Sequence, residues 1–397
     1  MASKKKKPAS NVVQCIVFPL APALILPRVR SLAQAGGPVI ERGMEKGKGQ
    51  LSRFAAFGQK RAFLEGRDRC VRALRAYFYG EGFAEVSTPA LQVSPGLEPH
   101  LQAFRTSLED PVGRRRLDLF LHTSPEFAMK KLLASGMERI FQVAQVYRNR
   151  ERSSTHHPEF SMLEWYRVGA EYTVLMNDCE SLLRACRAAV GPGSLVGFRG
   201  VGCNLALPFE RLSVQEAFLR YAETDLFATI DDPLKPSPSK LREACRNLGI
   251  STAEDDSWED LFFRIFLERV EARLGVGSAT LLYDYPISMA ALSRPCVGRP
   301  WLAERFELYV CGLELANAFG ELTDPVVQRA RFEADMEKKF RLYGERYPVD
   351  EDFLLALEEG LPASSGIALG VDRLAMLCTG ADTIEQVLWI EVARPDW

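Results

Sequence analysis

At 397 residues, with 47% hydrophobic and 26% charged residues, the chain is long enough for one large domain or two ordinary ones around a real core. A net charge of −2 excludes a general electrostatic footprint for nucleic acid and leaves room only for a local basic face. Nine scattered cysteines without a Cys-x-x-Cys pair, and only four histidines, give little ground for a zinc site. The odd cysteine count fits reduced thiols better than a disulfide framework.

The first fifty residues differ from the rest. Lys4 to Lys7 form a basic run, Val12 to Leu26 is apolar but broken by Pro19 and Pro22, and Ala33-Gln34-Ala35 follows. Together these have the form of a secretory signal, yet the apolar span is too short and too proline-broken for a membrane helix. Met44 stands shortly before the first convincing helix. Residues 1–50 therefore read as an unstructured extension, or as sequence following a start codon assigned too early.

Phe63, Cys70, Val71, Leu74, Tyr77 and Phe78 recur at helical spacing, with Gly80 and Gly82 as the stop. Phe83 to Thr88 reads as a strand ended by Pro89. Thr123-Ser124-Pro125-Glu126 predicts a helix start with a capping box from Thr123 to Glu126, and Gly136 the end of that helix. Strands are expected over 140–147 and 160–167, a helix over 172–190, and a glycine-rich linker over 192–207. Residues 213–275 read as mostly helical, with a polar break at 231–239. Strands over 279–285, 305–310 and 313–318 and a helix over 330–343 follow. Hairpin-joined strands with helices outside imply an α+β domain on an antiparallel sheet.

Three stretches carry chemistry. Gly366-Ile367-Ala368-Leu369-Gly370-Val371-Asp372-Arg373 reads as a glycine-relieved strand running into a helix with an arginine in its first turn. Such glycines let a flat ligand approach the backbone, and the guanidinium can stack on a purine and pair with phosphate. A tight strand-to-helix joint would explain the octapeptide equally well. In the second stretch Arg148 ends a strand, and Glu164 and Tyr166, two apart on the next, share a face. A glutamate on so apolar a face calls for a cation. In the third, Glu307 and Glu314 fall on two strands of a hairpin turning at Cys311-Gly312. Mg²⁺ bridging phosphate oxygens is the natural partner for such a pair.

These stretches resemble the three ordered motifs of the class II aminoacyl-tRNA synthetases: Phe83 to Pro89 after a long helix, Tyr147-Arg148 through Tyr166, and Gly366 to Arg373. Thr123 to Glu126, His156 to Phe160, and Glu314-Leu315-Ala316-Asn317 through Glu321-Leu322 are specifically similar to the lysyl enzymes. The resemblance covers Leu51 to the C-terminus. It implies a catalytic domain over 51–397, with a helical insertion at about 213–275. Fewer than sixty residues precede the first long helix, too few for the anticodon-reading OB barrel of lysyl-tRNA synthetases. The chain is thus similar to the elongation factor P–(R)-β-lysine ligase family, which also has alanine where Ala368 stands and lysyl-tRNA synthetases usually have glycine.

The resemblance implies ATP and Mg²⁺ as cofactors, β-lysine as substrate, elongation factor P as protein acceptor, a cytoplasmic location and a homodimer built on the first motif, without tRNA or membrane. It implies catalytic roles for Arg148, on the α-phosphate, and Arg373, on the adenine and γ-phosphate. Asn149, Glu151, His157, Glu314, Leu315 and Gly370 would complete the ATP site, with Glu307 and Glu314 holding Mg²⁺. Glu164, Tyr166 and Glu321 would receive the terminal ammonium, and Ser124, Pro125 and Glu126 the other amine, beside Asn317 and Ala368. Two departures from the family pattern are Arg150, where a glutamate is usual, and His157, where asparagine is common. A tRNA-acting enzyme and a catalytically inactive binding protein remain the alternatives.

Overall fold

The structure is a computed structural model. It describes residues 46–392, with side chains from Gly58 onward. The signal-like stretch and most of the extension lie outside the described residues.

Helix α1 (Lys46–Gly80) leads into the short strands β1 (Ala84–Glu85) and β2 (Leu91–Gln92) and the hairpin β3 (Phe104–Glu109)–β4 (Arg116–Leu121). Helix α2 (Glu126–Ala134) precedes the long pair β5 (Arg139–Tyr147) and β6 (Glu159–Val168), then α3 (Tyr172–Val190). A small hairpin, β7 (Leu195–Phe198) and β8 (Val201–Asn204), and strand β9 (Glu210–Ser213) lead to α4 (Val214–Ala222), α5 (Pro238–Asn247) and α6 (Trp258–Ile265). Strands β10 (Thr280–Pro286), β11 (Pro295–Cys296), β12 (Arg299–Val310) and β13 (Leu313–Gly320) follow, then α7 (Pro325–Tyr343) and α8 (Glu351–Glu358). Strand β14 (Ser364–Gly370) runs directly into α9 (Val371–Thr379).

The main sheet has nine strands in the order β1-β5-β6-β14-β13-β12-β10-β9, with β11 on β12. Its interior is antiparallel; the end pairs β1–β5 and β10–β9 are parallel. The α+β reading holds. One face carries α1, α3 and α9 over Phe141, Leu163, Trp165, Leu308, Ala318, Ile367 and Leu369. Fully buried Phe78 of α1 stacks on Phe141 at 4.8 Å and meets Trp165 at 5.2 Å. Such burial contributes ~1.5–3 kcal/mol per side chain. Asp178 of α3 anchors the layer, receiving two 2.8 Å bonds from Arg167, one from Trp165 and one from Tyr77. Helices α4 to α6 pack a second core against β10 and β12.

Three local departures have physical reasons. The strand expected over 83–88 pairs only at Ala84–Glu85, because Thr88 turns its N–H and hydroxyl to the Gln142 side chain at 3.2 and 3.0 Å. The stretch expected as a linker holds the β7–β8 hairpin, turned by Arg199 and Gly200 at φ 49° and 82°. Positive φ at both positions suits the right-handed twist of a two-residue hairpin. The β3–β4 hairpin and α8 were not marked by periodicity. Among the described residues no helix is long and apolar enough to cross a membrane.

Candidate active site

Alternation along the strands sends Trp165, Ile367, Ala318 and Phe306 into the helix-covered core, and their neighbours to the other face. Register there aligns Glu164, Ala368, Asn317 and Glu307 in one row across β6, β14, β13 and β12. A cavity of ≈ 630 Å³ lies over this face, walled by the 97–101 loop, α2, the 148–160 segment, the 259–271 helices and α7.

Two arginines stand at one end. Arg148, at the end of β5, is buried, reaches the Thr123 carbonyl at 3.5 Å and lies 5.3 Å from the Phe160 ring. Arg373, in the first turn of α9, donates to the carbonyls of Glu314 (2.7 Å) and Thr155 (3.3 Å) and to His156 Nε2 (2.7 Å). His156 is neutral: burial, then Arg373 and Arg148, push its pKa down to about 2. Asp372 braces the turn, pairing with Arg67 at 2.9 Å and accepting the Ser161 N–H at 2.7 Å. Glu151 shares this end, its carboxyl raised by burial. His157 is buried and bonded to the Glu159 carbonyl and the Val392 N–H.

Carboxylates gather at the other end. The expected capping box at α2 does not form. Pro125 is the N-cap, Ser124 Oγ accepts the Glu126 N–H, and Thr123 Oγ1 turns away to the Pro95 carbonyl. Glu126 is thereby left free of the cap and pairs with Lys130 one turn on. Lys130 Nζ lies 2.5 Å from both Glu126 and Glu321. Burial opposes its charge, but the two carboxylates outweigh that and hold its pKa above the ordinary value. Glu164 takes bonds from Ser124 (2.5 Å) and Tyr166 (2.9 Å). Burial and the nearby Glu126 raise it to about 8. Asn317 Oδ1 is buried without a hydrogen-bond partner, an acceptor open to a ligand donor.

Glu307 and Glu314 do stand on the two strands of the β12–β13 hairpin, turned by Cys311 and Gly312 at φ 55° and 72°. Their situations differ. Glu307 accepts from Arg305 (2.6 Å), Tyr285 (2.7 Å), Tyr309 (2.6 Å) and Asn317 (3.3 Å), so a metal there would displace a donor. Glu314 is raised well above the carboxylate range by burial and by Glu307, with Arg373 opposing. Its oxygens are hard ligands that would suit a divalent cation arriving with phosphates once the proton is displaced. Among the described residues no group of three metal-ligating side chains converges.

Of the residues singled out in sequence, Ser124, Glu126, Arg148, Glu151, His157, Glu307, Glu314, Leu315, Asn317, Ala368, Gly370 and Arg373 line the cavity. Asn149 is exposed off the wall, and Pro125 is spent on the helix start. Glu164, Tyr166 and Glu321 are sealed beneath the floor. The glycines also divide. A Cβ on Gly366 would fall 2.2 Å from the Tyr166 ring and 2.4 Å from Glu321, so this glycine makes room for protein rather than ligand. Lys130 and Glu271 are among the wall and floor residues that escaped the sequence reading. Lys130 was legible as the i+4 partner of Glu126. Glu271, raised to about 8 by burial and Glu307, follows a π-helical turn at Phe266–Val270 that no periodicity announces.

Residues 55–390 match the family described as tRNA synthetases class II (D, K and N). Three curated relatives bear the name elongation factor P–(R)-β-lysine ligase. That of Proteus mirabilis is 38% identical over 82% of this chain and 94% of its own. That of Pectobacterium atrosepticum is 38% identical over 83% and 94%. That of Salmonella typhi is 38% identical over 81% and 92%. With arginines and carboxylates facing one cavity on such a sheet, and with these relatives along most of its length, the chain belongs to the class II tRNA synthetase family and is an amide-forming ligase.

Proposed function

We propose that the protein activates (R)-β-lysine with ATP as an aminoacyl-adenylate and transfers it to a lysine ε-amine of elongation factor P. One observation carries this: a single cavity is lined by two phosphate-competent arginines and by Glu126, whose carboxylate neighbours Glu164 and Glu321 lie beneath its floor. The relatives' shared name supplies the substrates.

The substrate carboxylate attacks the α-phosphorus in line and pyrophosphate leaves. An amine then attacks the activated carbonyl, and AMP leaves with the C–O electron pair. Positioning and charge stabilisation do this work without a protein nucleophile. Arg148 holds the α-phosphate, and Arg373 lies along the adenine and reaches the γ-phosphate. Glu151 and His157 meet the base. Glu314, joined by Glu307 once Arg305 is released, would hold Mg²⁺, which would supply neutralisation of the phosphate charge. Glu126 and Asn317 face the amino acid, and Glu164, Tyr166 and Glu321 take its terminal ammonium after a rearrangement of the floor. The methyl of Ala368 favours the β-amine. The enzyme acts in the cytoplasm as a homodimer.

ATP–pyrophosphate exchange with β-lysine and α-lysine, followed by transfer to purified elongation factor P, tests this. Exchange preferring β-lysine and label on elongation factor P are expected. A strong α-lysine preference with tRNA charging would overturn the reading in favour of a tRNA-acting enzyme. Absence of exchange with either isomer would indicate a binding protein.

A further inference from the structure

Glu98 lies in the loop between β2 and β3, on the cavity wall and beside a small recess bounded by Gly96, Ser124 and Glu126. The residue as a whole is half-buried, but its Oε2 is shut off from solvent and accepts no hydrogen bond. An unsatisfied buried carboxylate oxygen costs free energy that a ligand donor would return. Lys130, the cation of this cluster, is engaged with Glu126 and Glu321 instead.

The loop is built to hold the carboxylate in place. Gly96 has φ +118°, and a Cβ there would fall 2.9 Å from Glu98 Oε2 and 2.7 Å from Thr123 Oγ1. Thr123 grips the loop from the α2 side through the Pro95 carbonyl at 2.7 Å. Lys339 of α7 grips it from the other side through the carbonyls of Pro99 (3.1 Å) and Leu101 (2.6 Å). The charges that act on Glu98 are Glu126, Arg148 and Lys339. Those that act on Glu164 include Glu126 and Lys130. Glu98 shares the cavity wall with Arg148, the arginine expected to hold the reacting centre, and the small recess with Ser124 and Glu126. In a 2- or 3-amino acid the amine is one or two carbons from the carboxyl, so its partner must stand close to that arginine.

We propose that Glu98 is the carboxylate that receives the substrate amine nearest the reacting carboxyl, with Glu126 as its Lys130-held neighbour. This rests on the reading of the cavity as an activation site for an amino acid with two amines. Lys130 shares its single charge between two carboxylates, and Glu98 draws its cation from the ligand.

The test compares wild type with Glu98→Gln and Glu98→Asp in ATP–pyrophosphate exchange, using β-lysine, α-lysine and 6-aminohexanoate. The last keeps the terminal ammonium and lacks the amine assigned to Glu98. Glu98→Gln is expected to raise KM for the preferred lysine isomer roughly 10- to 100-fold, the size of a lost charged hydrogen bond. KM for ATP and for 6-aminohexanoate should stay within about 2-fold, the discrimination expected of a lost contact rather than a damaged fold. Glu98→Asp should recover part of the loss. An equal loss on all three amino acids, or unchanged exchange with only the transfer step impaired, overturns the proposal. If wild type exchanges with no amino acid, the activation reading fails. Calorimetric titration of β-lysine into wild type and Glu98→Gln then still decides whether Glu98 binds the amine.

Discussion

Lys130→Met removes the cation that the buried Glu321 and the partly buried Glu126 share. Lys130 Nζ is 2.5 Å from Glu126 Oε1 and 2.5 Å from Glu321 Oε2, and the Lys130 and Glu321 side chains are 0% and 1% exposed. Breaking a buried pair by deleting one partner costs about 3–5 kcal/mol, because the other charge stays behind without compensation. The penalty depends on pH in a definite direction. Burial raises Glu321 to about 7, an effect that Lys130 partly offsets. An unfolded glutamate titrates near ~4.3. Between these values the folded state holds a proton that the unfolded state has lost, so stability falls as pH rises through the window. Deleting Lys130 lifts the offset and carries the window upward. Near pH 5 Glu321 is neutral in both proteins, and the variant loses packing, hydrogen bonding and the Glu126 pairing but not the Glu321 charge term. Near pH 8 it loses the full charge term. Urea unfolding followed by tryptophan fluorescence at pH 5, 6.5 and 8 measures the gap. A deficit that is flat across this range, or smaller than ~1 kcal/mol at pH 8, would refute the assignment of Lys130 as counter-ion.

Arg148→Ala and Arg373→Ala should each lower exchange at least ~10²-fold, the scale of a lost transition-state charge contact, with circular dichroism unchanged. Arg373→Lys should fail nearly as badly, since it loses the planar fork that serves the Glu314 and Thr155 carbonyls and His156 together. Ala368→Gly should shift the β- to α-lysine ratio of kcat/KM toward α-lysine by ~10-fold, since one methyl discriminates by only ~1–3 kcal/mol. Gly366→Ala should destabilise by ~1–3 kcal/mol, read by urea unfolding, because its Cβ would meet the Tyr166 ring at 2.2 Å.

The sheet was legible where side chains announced it. Strands β5, β6, β12 and β13 carry period-2 or apolar runs, and α3 begins and ends where its amphipathic spacing does. The cavity's two ends were legible for a different reason: arginines and glutamates embedded in apolar strands have few structural excuses. What stayed hidden depends on neighbours distant in sequence. The role of Gly366 is set by Tyr166 and Glu321, which approach it from another strand and from beyond β13. The hydrogen-bond load on Glu307 comes from Tyr285, on a strand twenty-two residues earlier, as well as from its own hairpin. The capping box failed because Thr123 Oγ1 found the Pro95 carbonyl, a contact no local pattern encodes. Residues 93–103 have neither periodicity nor a motif, and Glu98 is hidden there for the same reason.

The buried carboxylates also make ligand binding a proton-releasing event. Burial and Glu126 raise Glu164 to about 8, and burial raises Glu321 to about 7, so near neutral pH the ligand-free floor holds protons. A neutral acid in such a place costs far less than a bare charge. An incoming ammonium reverses the balance: an opposite charge within about 4–6 Å lowers a carboxyl pKa by 1–3 units. If Glu164 and Glu321 take the terminal ammonium, up to about one proton leaves per lysine bound, and affinity rises with pH between about 6 and 8. Calorimetric titration of β-lysine in buffers of different ionisation enthalpy counts those protons directly. A positive release near pH 7 that is reduced in Glu164→Gln is expected. Zero release, or proton uptake, would mean that the ammonium stops at the cavity wall and that the floor carboxylates serve only Lys130, Tyr166 and Ser124.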